Sequence, residues 1–384
     1  MAEVTDRQLN LDKGQAVLFI AASDVDSSLY YACHFLTSDP IAYAEIDGES
    51  FLLLNELELG RGRLQASTDH VLSLLPYEKK LREKDGTPNL VDMLKLFFEE
   101  RGVTNLIVPA SFPIAYGDKL RSKGLKVEYR EEPFYASRAI KSADEVDAIS
   151  ASQAATVGAM DVAVDMLRRS RVAGDFLELA GKPLTSEDVR MEIQRFLLDK
   201  GYLCKQTIVA GADQGCDPHV RGEGPLPANL PIVIDIFPQS MESRYWGDMT
   251  RTVVRGKPTK ELEGLHADVL EAQEKALAEL RHGAEGQGVH QTVVELFKSR
   301  GRETGERNGK MQGFIHSTGH GVGLDIHEYP KIGRVKSQLQ SGHVVTIEPG
   351  LYYFGLGGVR IEDLVVVTDS GHRNLTEYTK EFVV

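Results

Sequence analysis

Three acids stand where strands call for apolar side chains. Asp235 lies inside Ile232-Val-Ile-Asp-Ile-Phe237, Glu348 ends Val344-Val-Thr-Ile-Glu348, and Glu362 interrupts Val359-Arg-Ile-Glu-Asp-Leu-Val-Val-Val367. An ionised carboxylate taken out of water costs on the order of several kcal/mol unless it is paired or bound to a metal. Any one of the three could face solvent from a half-exposed strand or pair with an arginine. Arg360, two residues before Glu362 and so on the same strand face, is such a partner. Three together call for a common cause. Asp248, in Trp246-Gly-Asp-Met-Thr-Arg-Thr-Val-Val254, is a fourth acid. A hairpin through Pro238, Gln239, Ser240 and Glu242 would bring it beside Asp235. The fifth candidate is His320, in His316-Ser-Thr-Gly-His320-Gly-Val-Gly-Leu-Asp-Ile-His327, where glycines let the backbone approach a site closely.

Two Asp, two Glu and one His form an oxygen-rich, strongly negative donor set. Such a set suits two divalent cations sharing bridging carboxylates, and water between two cations ionises near neutral pH and attacks a carbonyl. Hard oxygen donors with one imidazole favour manganese, with cobalt, zinc or iron as alternatives. Cys33, Cys204 and Cys216 show no CxxC spacing, which argues against a thiolate site or a disulfide framework. Gly319-His-Gly-Val-Gly323 lacks the strand-turn-helix context of a dinucleotide loop, and no Walker loop, HExxH or G-x-S-x-G occurs. A cysteine hydrolase built on Cys216 and His219 would leave the five candidate ligands unexplained.

The elements that must hold these residues fall into two groups. Ala16-Val-Leu-Phe-Ile20, Ile41 to Ile46 before the turn Asp47-Gly48, Phe51 to Leu54, Asn105 to Val108 and Leu125 to Tyr129 read as strands, with helical periodicity over 88–101. Strands interleaved with helices predict an α/β domain over residues 1–137. From residue 138 the character changes. Ser142-Ala-Asp-Glu145 is a capping box ahead of a helix over Val146 to Arg168, and Thr185-Ser-Glu-Asp188 opens another to about Lys200. Helices are predicted over about 260–280 and 289–299, a polar loop over 301–312, and strands over Pro231 to Phe237, His343 to Glu348 and Val359 to Val367. This is an α+β pattern for residues 138–384.

The 384 residues suit two domains, and 42% hydrophobic with 26% charged is a globular balance. Lys plus Arg total 44 against 57 Asp plus Glu, a formal charge of −13. An acidic surface repels phosphate backbones and anionic lipid, so no nucleic acid and no membrane partner is expected. The polar stretch Met1 to Gln8 does not read as a signal peptide, and the apolar run Ala16 to Ala22 is too short to span a bilayer, which points to the cytoplasm.

These segments, in this order, resemble the pita-bread metallopeptidases, which include methionine aminopeptidase, prolidase and aminopeptidase P. The words that carry the likeness are Gly-Asp248-Met-Thr-Arg-Thr, Gly-His320-Gly-Val-Gly-Leu, Ile-Glu348-Pro-Gly-Leu-Tyr and Val-Arg360-Ile-Glu362-Asp. The resemblance implies that Asp235, Asp248, His320, Glu348 and Glu362 are the metal ligands. The α/β domain before residue 138, the lead-in Arg138-Ala-Ile-Lys-Ser142, His327 seven residues after His320, and His219 in Asp217-Pro-His219 are similar to the prolidase and aminopeptidase P branch. The resemblance thus implies a pita-bread catalytic domain behind a smaller creatinase-like α/β domain. It also implies hydrolysis of the Xaa-Pro bond in dipeptides or at the N-terminus of short peptides, and a homodimer.

By the same resemblance Glu348 is both ligand and proton shuttle, and His219 and His327 hydrogen-bond the substrate carbonyl or the developing oxyanion. His316 grips the substrate beyond the scissile bond, Arg360 orients the metal-bound carboxylates, and Tyr352 supports them from behind. The twelve residues between Asp235 and Asp248 exceed the family's usual hairpin, so a bulge or wider loop is expected there. Two alternatives stand: another enzyme on this fold, such as a metal-dependent lyase or a hydrolase of non-peptide amides, and a non-catalytic binding protein. A purely structural role makes no demand for buried acids, which counts against the second.

Overall fold

Alternating apolar runs in the first 130 residues pair into one six-stranded sheet. In the computed structural model, which describes residue 9 and residues 11–83 and 87–384, its spatial order is His70–Ser73, Glu49–Leu54, Ile41–Ile46, Gln15–Ala21, Asn105–Pro109, Lys126–Arg130. The N-terminal stretch Met1 to Gln8, read above as no signal peptide, lies outside the described residues. Ile41–Ile46 and Glu49–Leu54 form a hairpin because Asp47 and Gly48 both take positive φ, 51° and 83°, the twist a two-residue turn requires. Asn105–Pro109 and Lys126–Arg130 join in parallel. Helix Leu90–Glu99 starts at a capping box of Asn89 and Asp92 and buries Leu94, Phe97 and Phe98 against Leu18, Phe51 and Leu106 of the sheet. The chain divides into two compact units, Met1–Arg138 and Ala139–Val384.

The second unit is built from two helix-pair-on-sheet halves. Ser142 and Glu145 cap one another's backbone N–H groups and start helix Ala143–Arg169; Thr185 and Asp188 do the same for Ser186–Asp199. These helices cover strands Ile208–Gly211, Ile232–Ile236 and Met249–Val253 around Ile193, Leu197, Ile232 and Ile234. In the other half, helices Lys260–Glu279 and Gly286–Ser299 cover a five-stranded sheet ordered Glu328–Ile332, Gly319–Gly321, Val344–Ile347, Asp363–Val367, His372–Asn374, with the hairpin Gly350–Tyr353 and Gly357–Arg360 beside it. Val269, Val293, Phe297, Val345, Ile347 and Val365 form its core. The halves are stitched by hydrogen bonds between strands: Glu362 N–H to Thr250 O at 3.1 Å, and Arg360 N–H to Thr252 Oγ1 at 2.9 Å.

Two expected elements differ. Residues 301–312 are not all loop: Gly305–Arg307 pairs with Lys310–Gln312 across Asn308-Gly309, whose φ values of 54° and 75° make the turn that an Asn-Gly pair favours. The run Val359 to Val367 is two strands, Gly357–Arg360 and Asp363–Val367, parted at Ile361-Glu362 where the backbone bonds across to Thr250 and Arg251. The three cysteines are buried and free. Among the described residues, no helix is long and apolar enough to cross a membrane.

Candidate active site

Each half of the second unit contributes acids to one cavity. Strand Ile232–Ile236 carries Asp235 and pairs antiparallel with Met249–Val253, Asp235 opposite Thr250, so Asp248 enters from the neighbouring strand's leading end. The twelve-residue connection between them holds the short strand Gln239–Ser240, which pairs with Tyr202–Leu203, and a bridge from Gln239 to Trp246. Asp248 is fixed at its backbone by one side chain: Gln153 accepts its N–H at 2.8 Å and donates to its carbonyl at 2.9 Å. From the other half, Gly319 brings the chain against strand Val344–Ile347 so closely that a Cβ there would lie 1.9 Å from Thr346 O. His320 follows, its N–H held by Thr346 Oγ1 at 3.2 Å.

One donor atom each from Asp248, His320 and Glu362 lie within 4.8 Å of one another. His320 Nδ1 faces the Gly321 carbonyl at 3.1 Å and so carries the proton, leaving the Nε2 lone pair aimed at Glu348 Oε1 (3.5 Å) and Asp248 Oδ2 (3.7 Å). Glu362 accepts from Thr250 Oγ1 at 2.7 Å. Asp235 Oδ2 accepts from Arg360 Nη2 at 2.7 Å, while its Oδ1 is buried with no hydrogen-bond partner. Arg360, almost fully buried, also donates to Tyr352 Oη at 2.9 Å and to Thr250 Oγ1 at 3.2 Å. Tyr352 in turn meets His316 Nε2 at 2.7 Å, and His316 Nδ1 meets Ser317 O at 2.7 Å. Both ring nitrogens of His316 are thus engaged within the protein.

The electrostatics are those of acids buried close to one another. Burial, then Glu362, Asp235 and Glu348, hold the Asp248 carboxyl well above the ordinary range. Burial, then Glu348 and Asp235, do the same to Glu362. Burial foremost pushes Glu348 up to about 8, with the Arg360 guanidinium opposing the rise. Burial also pulls His320 and His316 down to about 3, with neighbouring His327 and Arg360 respectively adding to it. Four converging carboxylates, an orphaned Asp235 oxygen and a neutral imidazole lone pair fit divalent cations, whose charge would relieve the raised carboxyls and favour the neutral His320 that a metal ligand must be. The chemistry of the set is oxygen with one nitrogen, which suits hard or borderline metals.

The cavity, about 970 Å³, is lined by Asp235, Asp248, His320, Glu348, Arg360 and Glu362 together with His219, His316 and His327. His219 and His327 stand toward the open side. The His219 N–H is turned onto Asp217 Oδ1 at 3.2 Å, and the His327 ring lies 4.3 Å from that of His320, edge to face. Tyr352 does not line the cavity and reaches it through Arg360 and His316. Sequence reasoning overlooked Gln153, Thr250 and Thr346, which hold the candidate ligands, and Gln206, Arg221 and Lys331, which line the cavity. Thr250 was findable, since it sits two residues after Asp248 on the same strand face.

A family model described as metallopeptidase family M24 matches residues 147–369. An Xaa-Pro dipeptidase of Pyrococcus furiosus is 38% identical over 179 residues, which are 46% of this chain and 49% of that enzyme, so the match spans about half its length. An Xaa-Pro dipeptidase of Pyrococcus horikoshii is 29% identical over 314 residues, 80% of this chain and 84% of the relative. The crystal structure of an X-Pro aminopeptidase from Thermotoga maritima superimposes with a TM-score of 0.79 at 23% identity, covering 96% of this chain and 97% of that one. The shared architecture is the α+β pita-bread fold.

Proposed function

This chain belongs to metallopeptidase family M24, and on that premise we propose that it hydrolyses the peptide bond preceding a proline, in dipeptides or at the N-terminus of short peptides, using two divalent cations. The observation that carries the reading is the convergence of Asp235, Asp248, His320, Glu348 and Glu362 on one cavity that three further histidines also line. The relatives named as Xaa-Pro dipeptidases support the choice of substrate.

In this reading the five residues would hold the cations, which when bound would supply Lewis acidity and lower the pKa of a water molecule toward neutral. Glu348 would accept a proton and deliver it to the leaving proline nitrogen. His327 and His219, on the open side of the cavity, donate to the carbonyl oxygen as charge develops on it. Arg360 holds Asp235 in place through Nη2 and is itself held by Tyr352 and Thr250. His316 fixes Tyr352 and lines the cavity, a position that supports packing against the substrate beyond the scissile bond. The oxygen-rich donor set supports manganese, with cobalt, zinc or iron able to take its place. The family resemblance supports a homodimer.

The test is hydrolysis of a peptide panel by metal-stripped protein before and after manganese, cobalt or zinc is restored. The panel holds Xaa-Pro dipeptides, Xaa-Pro-Yaa tripeptides and matched peptides with alanine in place of proline. Metal-restored cleavage confined to bonds before proline is the expected result, and the dipeptide-to-tripeptide ratio assigns the subclass. Absence of cleavage by protein shown to bind two metals would overturn the peptidase reading and direct the search to lyase and non-peptide amide substrates.

A further inference from the structure

The hairpin loop that carries His327 is tied down by a charge brought from the far end of the unit. Lys141, at the lead-in to helix Ala143–Arg169, has a side chain only 1% exposed and donates to Glu328 Oε1, whose own side chain is 10% exposed. Lys141 Nζ also donates to Ala139 O at 3.3 Å, and its N–H donates to Gly342 O at 2.9 Å, so the cation is fixed at both ends. Glu328 directly follows His327 and pairs with Gly321, which directly follows His320. Its Oε2 accepts from the Asp325 N–H at 3.4 Å, and its carboxylate fills the space above Gly323, where a Cβ would fall 2.5 Å from Oε1. Trp246 grips the same loop from the Asp235–Asp248 connection, donating its backbone N–H to Gly323 O and its indole N–H to Leu324 O, each at 3.0 Å.

From these contacts we infer that the Lys141–Glu328 ion pair positions His327 toward the substrate, making both residues positioning residues for the hydrolysis proposed above, on which this inference rests. A buried ion pair is seldom more stabilising than well-packed apolar side chains of the same volume. An apolar pair could fill the space, but it could not hold the loop by the Asp325 N–H while fixing the rotamer of the residue that follows His327. The geometry of residues 322–327 is therefore what the pair secures.

Two single variants and their combination test this. In metal-stripped protein, hydrogen–deuterium exchange of residues 321–328 is expected to quicken ~10-fold in Lys141→Met, with helix Ala143–Arg169 and strand Val344–Ile347 unchanged. With metal and the best peptide of the panel, kcat is expected to fall ~10–100-fold while KM and metal affinity stay within ~3-fold. Glu328→Gln, which keeps an acceptor for Lys141, should move the same quantities less, and it decides the matter if Lys141→Met does not fold. K141M/E328Q leaves no unpaired charge and should still show the low kcat. Unchanged exchange in 321–328 in the folded single variants, exchange that rises throughout Ala139–Val384, or a double variant restored to full kcat would each overturn the inference. A wild-type protein that cleaves no peptide would sink the peptidase reading alone, because the exchange measurement needs no substrate.

Discussion

Arg360 is the residue on which the arrangement of the cavity turns most directly. Its guanidinium meets Asp235, Tyr352 and Thr250 through three different nitrogens, and through Tyr352 it reaches His316. A lysine has one donor centre and cannot reproduce that fork. In Arg360→Lys, Asp235 or Tyr352 must lose its partner in a buried setting, so metal affinity is expected to fall ~10–100-fold, as for other groups that orient ligands from behind. Isothermal titration of the metal-stripped variant with manganese measures this directly; an affinity equal to the wild type would mean that Arg360 does not orient the ligands. Three of the five candidate ligands, Asp235, Glu348 and Glu362, stood out in the sequence because each breaks an apolar run, an anomaly visible without coordinates, whereas Asp248 and His320 rested on the hairpin and the glycines around them. Gln153, Thr250 and Thr346 were not legible. A polar residue on a helix or strand looks ordinary until a backbone from another element is seen to need it.

At the scale of elements, helix Ala143–Arg169 does more than cover a sheet. It carries Gln153, whose amide closes a two-bond clamp on the Asp248 backbone and also donates to Thr376 Oγ1 at 2.8 Å. Gln153→Leu would leave a buried N–H and a buried carbonyl unpaired, each costing ~1–3 kcal/mol. The variant is expected to lose roughly 2–4 kcal/mol of stability in urea unfolding and to bind metal more weakly, since Asp248 is no longer held. A loss below ~1 kcal/mol would show that water takes over both bonds. The helices were the most legible elements, because the Ser142–Glu145 and Thr185–Asp188 boxes marked their starts in four residues each. The two elements read wrongly failed for different reasons. The hairpin at Asn308-Gly309 was hidden by its polarity, although the turn pair itself was a usable signal. The break at Ile361-Glu362 was not, because its cause is the Thr250 and Arg251 backbone and side chain about 110 residues earlier.

The stability of the whole molecule should carry an acid-sensitive term that lies away from the cavity. His266 is buried against the Phe382 ring, 4.4 Å between centroids, and His343 accepts the Gln340 N–H on Nδ1 at 3.1 Å. Burial pulls both down to about 4, with Arg251 adding to the effect at His266 and Lys141 and His282 at His343. Above about pH 6.5 both states are neutral and the histidines contribute nothing. As pH falls below that value the unfolded chain takes up protons that the folded chain refuses until about pH 4, so the folded state loses stability across this window and the loss levels off beneath it. Each site is worth up to roughly 2–3 kcal/mol over the window. Carboxylates titrate in the same range, so the comparison must be between proteins that share them. His343→Asn keeps an acceptor for Gln340 and removes the titration, and its urea midpoint, followed in chelator from pH 7 to pH 4.5, should decline less steeply than that of the wild type. Parallel curves would mean that the His343 site admits a charged ring, by opening to water or by moving Lys141 aside.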